Sequence, residues 1–161
     1  MTQEMRETRM LDDADRRLLN LLQRRAEMTA EELGQALTLS ASQAARRRRR
    51  LETAGFVTGY GARLDPARLG LTVQAFVQVE MAAHSADRAK SFLSLVSTLP
   101  EVTGCWTMTG QADYLLRVWC ADLADLNRLI QERLLPHPTV ARVNSQIVLD
   151  QPKRDTELPV G

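Results

Sequence analysis

Along the first third of the chain, apolar residues recur every three or four positions. Ala14, Leu18, Leu21 and Leu22 form one such stripe, with Asp12 ahead of it and Asp13 and Asp15 in its opening turn. Acidic residues placed before and within the first turn of a 3.6-residue period predict a capped first helix. Thr29 and Glu32 have the spacing of a reciprocal cap, in which the hydroxyl takes the third N–H and the carboxylate reaches back to the cap. Leu33, Ala36 and Leu37 follow as a short apolar stripe, so a second helix about two turns long is predicted. Ser40 and Gln43 repeat the device and open a third helix that can run through Leu51 to Ala54, where Gly55 supplies a left-handed stop. Only the segment Thr38 to Ser40 separates the second helix from the third, a length that crosses them steeply and leaves one face of the third exposed. This is the punctuation of a helix-turn-helix.

The pattern changes after Gly55. Phe56-Val57 precede the breakers Gly59, Gly61, Pro66 and Gly70, which predicts a short strand and a linker. From Val73 the period becomes two: Val73, Ala75, Val77, Val79 and Met81 alternate with polar or bulky neighbours, as in a strand buried on one face. Phe92, Val96 and Leu99 then share a helical stripe ended by Pro100, and Leu123, Leu126, Ile130 and Leu134 share another ended by Pro136. Between them, Val102 to Met108 and Tyr114 to Cys120 flank a turn carrying Gly110, and Ala141, Val143, Ser145, Ile147 and Leu149 alternate near the end. The expected fold is α+β: an N-terminal helix-turn-helix domain (1–57), a linker (58–71), a βαββαβ ferredoxin-like domain with a four-stranded antiparallel sheet (72–150) and a tail (151–161). Both helices of such a unit cover one sheet face, and a second copy of the chain is the economical cover for the other. Centring the hairpin turn between Ala112 and Asp113 sets Trp106 opposite Trp119 and Cys105 opposite Cys120.

Composition narrows the function. In 161 residues the longest apolar runs are short and Met1 is followed by a polar segment, so neither a membrane span nor a secretory leader is expected. Cys105 and Cys120 are too few for a disulfide scaffold or a metal quartet, which suits a reducing cytoplasm and small buried side chains. The histidines, His84 and His137, sit in predicted loops and build no catalytic constellation; no enzyme, cofactor or metal is expected. Net charge is only +1, and residues 1–65 hold twelve arginines against ten acids, so a nucleic-acid surface has to be a local patch. The patch is the run Arg46 to Arg50 on the third helix. Successive helical residues are about 100° apart, so the five arginines go right round the helix and cannot share one role. Ala44, Arg48 and Leu51 fall on the side facing the domain core. The opposite side carries Ser42, Arg46 and Arg49, with Gln43 and Arg50 at its margins; these five are the expected contacts to double-stranded DNA.

Leu11-Asp12-Asp13-Ala14-Asp15, Leu18-Leu19, Leu39-Ser40, Arg46-Arg47, Arg49-Arg50-Leu51-Glu52, Gly55-Phe56-Val57, Leu99-Pro100-Glu101-Val102, Thr109-Gly110, Asp113-Tyr114-Leu115-Leu116 and Leu158-Pro159 stand in an order and spacing that resembles the Lrp/AsnC, or feast/famine, regulators. The resemblance covers nearly the whole chain. It implies a sequence-specific transcriptional regulator whose C-terminal, RAM-type domain builds homodimers and often octamers, and binds amino-acid effectors between subunits. Asp113 would then accept the effector's ammonium and the backbone N–H groups around Gly110 would hold its carboxylate, with Ser145 as a further candidate; an ordinary turn aspartate is the alternative. Three positions depart from the family pattern. Arg48 replaces an apolar residue and is expected to lay its stem on the core and its head in water at some loss of stability, while Gln111 and Thr139 replace a common Asp and a common Gly near the effector turn. Two other functions stay open: an enzyme resembling the sirohaem decarboxylases, which share the architecture, and an effector-independent assembly or DNA-organising protein.

Overall fold

The computed structural model describes residues 11–83, 85–153 and 155–160. His84 lies outside them. The chain separates into two compact units, one running to Arg63 and resumed from Lys153, the other Leu64–Pro152.

The first unit holds α1 (Asp13–Arg24), α2 (Ala30–Leu37) and α3 (Ala41–Thr53). Each begins with a complete reciprocal cap, formed by Asp12 and Asp15, by Thr29 and Glu32, and by Ser40 and Gln43. Orphan N–H groups at all three helix starts are therefore satisfied locally. Leu18, Leu19, Leu22, Met28, Leu33, Leu37, Ala44 and Leu51 make the core, so each helix gives its apolar stripe to one small cluster. The turn between α2 and α3 is tight. Leu39 N–H donates to Gly34 O at 2.8 Å, and a Cβ at Gly34 would stand 2.8 Å from Leu39 O, so only glycine fits there. Residues 153–160 also belong to this unit, although the sequence pattern set them apart as a tail. Gln23 clamps Leu158 by both backbone groups, accepting from its N–H at 2.7 Å and donating to its carbonyl at 3.1 Å, and Val160 packs against the core. The strand expected at Phe56-Val57 is absent: this stretch is irregular backbone whose two apolar side chains pack on the core.

The second unit runs β1 (Val73–Met81), α4 (Ala86–Ser97), β2 (Val102–Thr107), β3 (Tyr114–Cys120), α5 (Leu123–Arg128) and β4 (Val140–Ile147), with α5 continuing as π-helical turns over Leu129–Leu134. All neighbouring strands are antiparallel in the order β2-β3-β1-β4. Period-two alternation sends Ala75, Val77, Val79, Leu116 and Val118 to one face, where Phe92, Val96, Leu126, Leu129 and Leu134 close a dry core. The other face carries Gln74, Phe76, Gln78, Leu115, Arg117 and Trp119, half-buried, with Trp106 exposed.

The hairpin register differs from the count made on the sequence. Trp106 faces Leu115 and Cys105 faces Leu116, while Trp119 and Cys120 lie opposite Gln74 and Val73 of β1. The tip falls between Gly110 and Gln111 because Gly110 takes the left-handed φ of +113°, and Asp113 is already in the ladder, its carbonyl accepting from Met108 N–H at 2.8 Å. The difference amounts to four residues. An even slip keeps every side chain on its face, so alternation alone could not exclude it.

Candidate functional site

The third helix presents two differently used sets of arginines. Arg46 and Arg49 are exposed, and among the described residues neither forms a hydrogen bond or salt bridge. Ser42 and Gln43 stand one turn earlier, also exposed, but both are engaged in the cap: Gln43 Oε1 accepts from Ser40 N–H at 3.0 Å, and Ser42 Oγ lies 3.1 Å from Ser40 Oγ. The remaining arginines pair within the unit. Arg47 donates to Asp12 at 2.6 Å and to Asp15 at 2.8 Å, and Arg50 pairs with the second oxygen of Asp15. Asp15 is fully buried. The expected DNA margin at Arg50 is thus drawn toward α1. The Asp15 N–H, and after it the Arg47 guanidinium, hold the Asp12 carboxyl below the usual carboxylate range.

Arg48 does lie on the core side, but its head is not in water. It donates to Glu52 at 2.9 Å, to the Met28 carbonyl at 2.9 Å and to the Ala26 carbonyl at 3.3 Å, and it stacks 4.9 Å from the Tyr60 ring centroid. Tyr60 in turn donates to Glu52 at 2.7 Å. The expected placement of the head in water is therefore corrected: Arg48 satisfies carbonyls of the α1–α2 turn that an apolar residue would leave unpaired. The Glu52 and Tyr60 partners were missed in the sequence, although Glu52 stands at the i+4 spacing of an ion pair.

In the second unit, a cleft of about 390 Å³ opens between the end of β1, the start of α4 and the hairpin, lined by Met81, Ala83, Ser85, Thr107, Asp113 and Tyr114 among others. Asp113 is held there by its N–H, which donates to Val79 O at 3.0 Å, and by Oδ2, which accepts from Met81 N–H at 2.7 Å. It thus ties the hairpin to β1 beside the bulge at Glu80/Met81. Gly110 stands exposed at the tip. Ser145 is not brought to this cleft: it faces Val77 on the edge strand β4, with β1 between it and β3, and is exposed. Thr139 is buried, its hydroxyl 2.8 Å from His137 Nδ1, and His137 packs edge-on against Phe92 with ring centroids 6.1 Å apart. His137 is therefore half-buried packing and not the exposed loop residue expected. Burial pushes the Cys105 and Cys120 thiols up, the latter helped by Glu101 and Asp122, which leaves both poor nucleophiles.

A capped helix-turn-helix presenting arginines on its third helix, joined to a four-stranded α+β unit, defines a two-domain DNA-binding regulator. Residues 11–52 match the AsnC-type helix-turn-helix domain and residues 74–158 the Lrp/AsnC ligand binding domain. The chain belongs to the Lrp/AsnC family of transcriptional regulators. It is 36% identical over 151 residues to the DNA-binding transcriptional activator DecR of Escherichia coli, covering 94% of this chain and 99% of that one. It is 33% identical over 150 residues to the leucine-responsive regulatory protein of Klebsiella pneumoniae, covering 93% and 92%. Among solved structures, a transcriptional regulator of Neisseria meningitidis in complex with L-Met superposes with a TM-score of 0.90 at 35% identity, covering 94% of this chain and 97% of that one. No helix among the described residues is long and apolar enough to cross a membrane.

Proposed function

We propose that this regulator reads its operators through the outward face of α3, as a two-fold dimer or a larger ring such as an octamer, in the cytoplasm and without catalysing a reaction. The observation that carries the reading is the exposure of Arg46 and Arg49 on the side of α3 opposite buried Ala44 and Leu51. A guanidinium fork there can pair with a guanine edge or with phosphate, and Gln43 and Ser42 stand where base edges would pass. The half-buried apolar residues Phe76, Leu115 and Trp119 on the open sheet face support a second copy as its cover. A two-fold pair of α3 helices would enter successive major grooves about one helical turn apart. Gel-shift and footprinting on the protein's own promoter region test this. Arg46→Ala and Arg49→Ala should each weaken binding by about 1–3 kcal/mol where they touch bases. A single asymmetric half-site bound by a monomer would count against the dimeric arrangement.

The second part of the reading is that a small amino acid, bound in the cleft beside Asp113, tunes this binding. The L-Met complex of the Neisseria relative supports the ligand class. In this chain the cleft sets the Asp113 carboxylate beside Ser85, Thr107 and the apolar Met81 and Tyr114, a lining that can pair with an ammonium and take an apolar side chain. Ser145 would join only where another subunit brings its edge strand alongside. Calorimetry against the twenty amino acids, then gel-shifts with any hit, tests the idea. Asp113→Asn is the informative variant, since the amide oxygen can still accept from Met81 N–H while the charge is gone; ligand affinity should fall with DNA binding intact. Absence of binding at millimolar concentration would leave the C-terminal unit as an assembly module.

A further inference from the structure

The arginine run has five guanidinium groups, yet α1 and α3 between them assign three to partners inside the unit. Arg48 goes to Glu52, Arg47 to Asp12 and Asp15, and Arg50 to Asp15. Asp15 has no solvent exposure, accepts a guanidinium on each oxygen, and sits on a different helix from both donors. Arg50, by contrast, is 53% exposed and stands at i+4 from Arg46, on the row from which phosphates would be reached. Only its ion pair turns it the other way. Asp15 Oδ2 also accepts from the Asp12 N–H at 3.2 Å, the second half of the cap, a bond that the amide oxygen of an asparagine can still accept.

We propose that Asp15 is a specificity-determining positioning residue, which together with Asp12 withholds Arg47 and Arg50 from the DNA backbone so that α3 meets DNA with Arg46 and Arg49 alone. The inference rests on the α3 reading above. The physical reason is the nature of phosphate contacts: they add affinity for every sequence equally, so each arginine released to phosphate raises binding to random DNA and dilutes the contribution of base contacts. Because Asp15 itself is fully buried, its pairs with Arg47 and Arg50 are screened by salt less than pairs between two exposed groups would be.

The test is the slope of log K against log salt for the full-length protein, measured on promoter DNA and on a random duplex. Each phosphate contact contributes about 0.9 to that slope. Arg50→Ala should leave the slope unchanged on both duplexes. Asp15→Asn, checked for folding by circular dichroism, should steepen it by about 0.9 to 1.8, strengthen binding to random DNA and lower the promoter-to-random ratio. Arg50→Ala placed in the Asp15→Asn protein should bring part of the slope back. A fall of about 0.9 on Arg50→Ala in the otherwise unchanged protein, or a folded Asp15→Asn variant with the original slope, overturns the proposal. Should Asp15→Asn not fold, Arg50→Ala decides by itself. Arg49→Ala reports separately on the underlying reading: if neither it nor Arg46→Ala affects binding, α3 is not the DNA face, whereas a slope loss confined to Arg50→Ala removes the withholding role alone.

Discussion

Thr38 shows how much a single residue can carry in a short turn. It closes α2 in the left-handed region, at φ 59° and ψ 44°, and is the one non-glycine residue with positive φ among those described. A β-branched side chain there costs roughly 1–2 kcal/mol, and glycine would relieve it while losing about 0.5–1 kcal/mol more chain entropy on folding. Thr38→Gly should therefore raise stability by up to about 1 kcal/mol, read as a higher urea midpoint at unchanged m-value. Arg48 argues the opposite way. Arg48→Leu keeps the stem's packing but leaves the Met28 and Ala26 carbonyls without their donor and Glu52 without its guanidinium. A loss of about 1–3 kcal/mol is expected, with DNA affinity nearly unchanged, because Arg48 faces the core side of α3. An increase in thermal stability would show that the carbonyl bonds are not maintained in solution.

Among the elements, the hairpin and the C-terminal segment make the clearest statements. Cys105 pairs with Leu116, and Cys120 lies four residues further along β3. At about 3.3 Å per residue the two cysteines are about 13 Å apart, well beyond the roughly 7 Å limit for a disulfide. Mild oxidation should leave two titratable thiols in the unfolded, alkylated protein and no intrachain cross-link. Trp106 lies over Gly104 and beside Arg117, whose guanidinium carbon is 5.8 Å from the ring centroid; a Cβ at position 104 would come 2.5 Å from the ring. Gly104 is thus the seat of an aromatic residue on the open sheet face. The last residues act as a strap on α1. Removing 157–161 breaks both Gln23 bonds to Leu158 and the Val160 contact, and a loss of about 1–3 kcal/mol is expected from the N-terminal unit, measured by helical circular dichroism against denaturant.

At the scale of the molecule, the two units should differ in their response to acid. Asp12, Glu32 and Glu52 all titrate below their ordinary values in the first unit. The causes are, in turn, the Asp15 N–H and then Arg47, the Thr29 N–H and then Arg25, and the Tyr60 hydroxyl and then Arg48. Each binds its proton less readily folded than unfolded, so each stabilises fully above the unfolded value and less as pH falls below about 4. The tryptophans, Trp106 and Trp119, both lie in the second unit. Tryptophan fluorescence therefore follows that unit, while helical circular dichroism is weighted toward the first. On acidification the helical signal should decline at higher pH than the tryptophan signal, and coincident transitions would show that the units unfold as one.

The three caps, the glycine stop, the order of elements apart from the strand at Phe56-Val57, and most of the buried stripes apart from exposed Ala36, Leu123 and Leu149 were legible in the residues, because each depends on neighbours within a turn or on a period of two or 3.6. The inward placement of Arg48 and the outward placement of Arg46 and Arg49 followed from the helical wheel alone. What the sequence left open were the choices that depend on partners far along the chain. Alternation assigned each strand residue to a face yet left the hairpin free to slip by an even number, until Gly110 and the bonds from Asp113 to Val79 and Met81 selected the register. Five consecutive arginines looked alike, and only the arrival of α1 beside α3 divided them, since a buried carboxylate attracts whichever guanidinium groups the packing brings within reach. The C-terminal residues looked like an unattached tail for the same reason: the glutamine that clamps them lies 135 positions earlier.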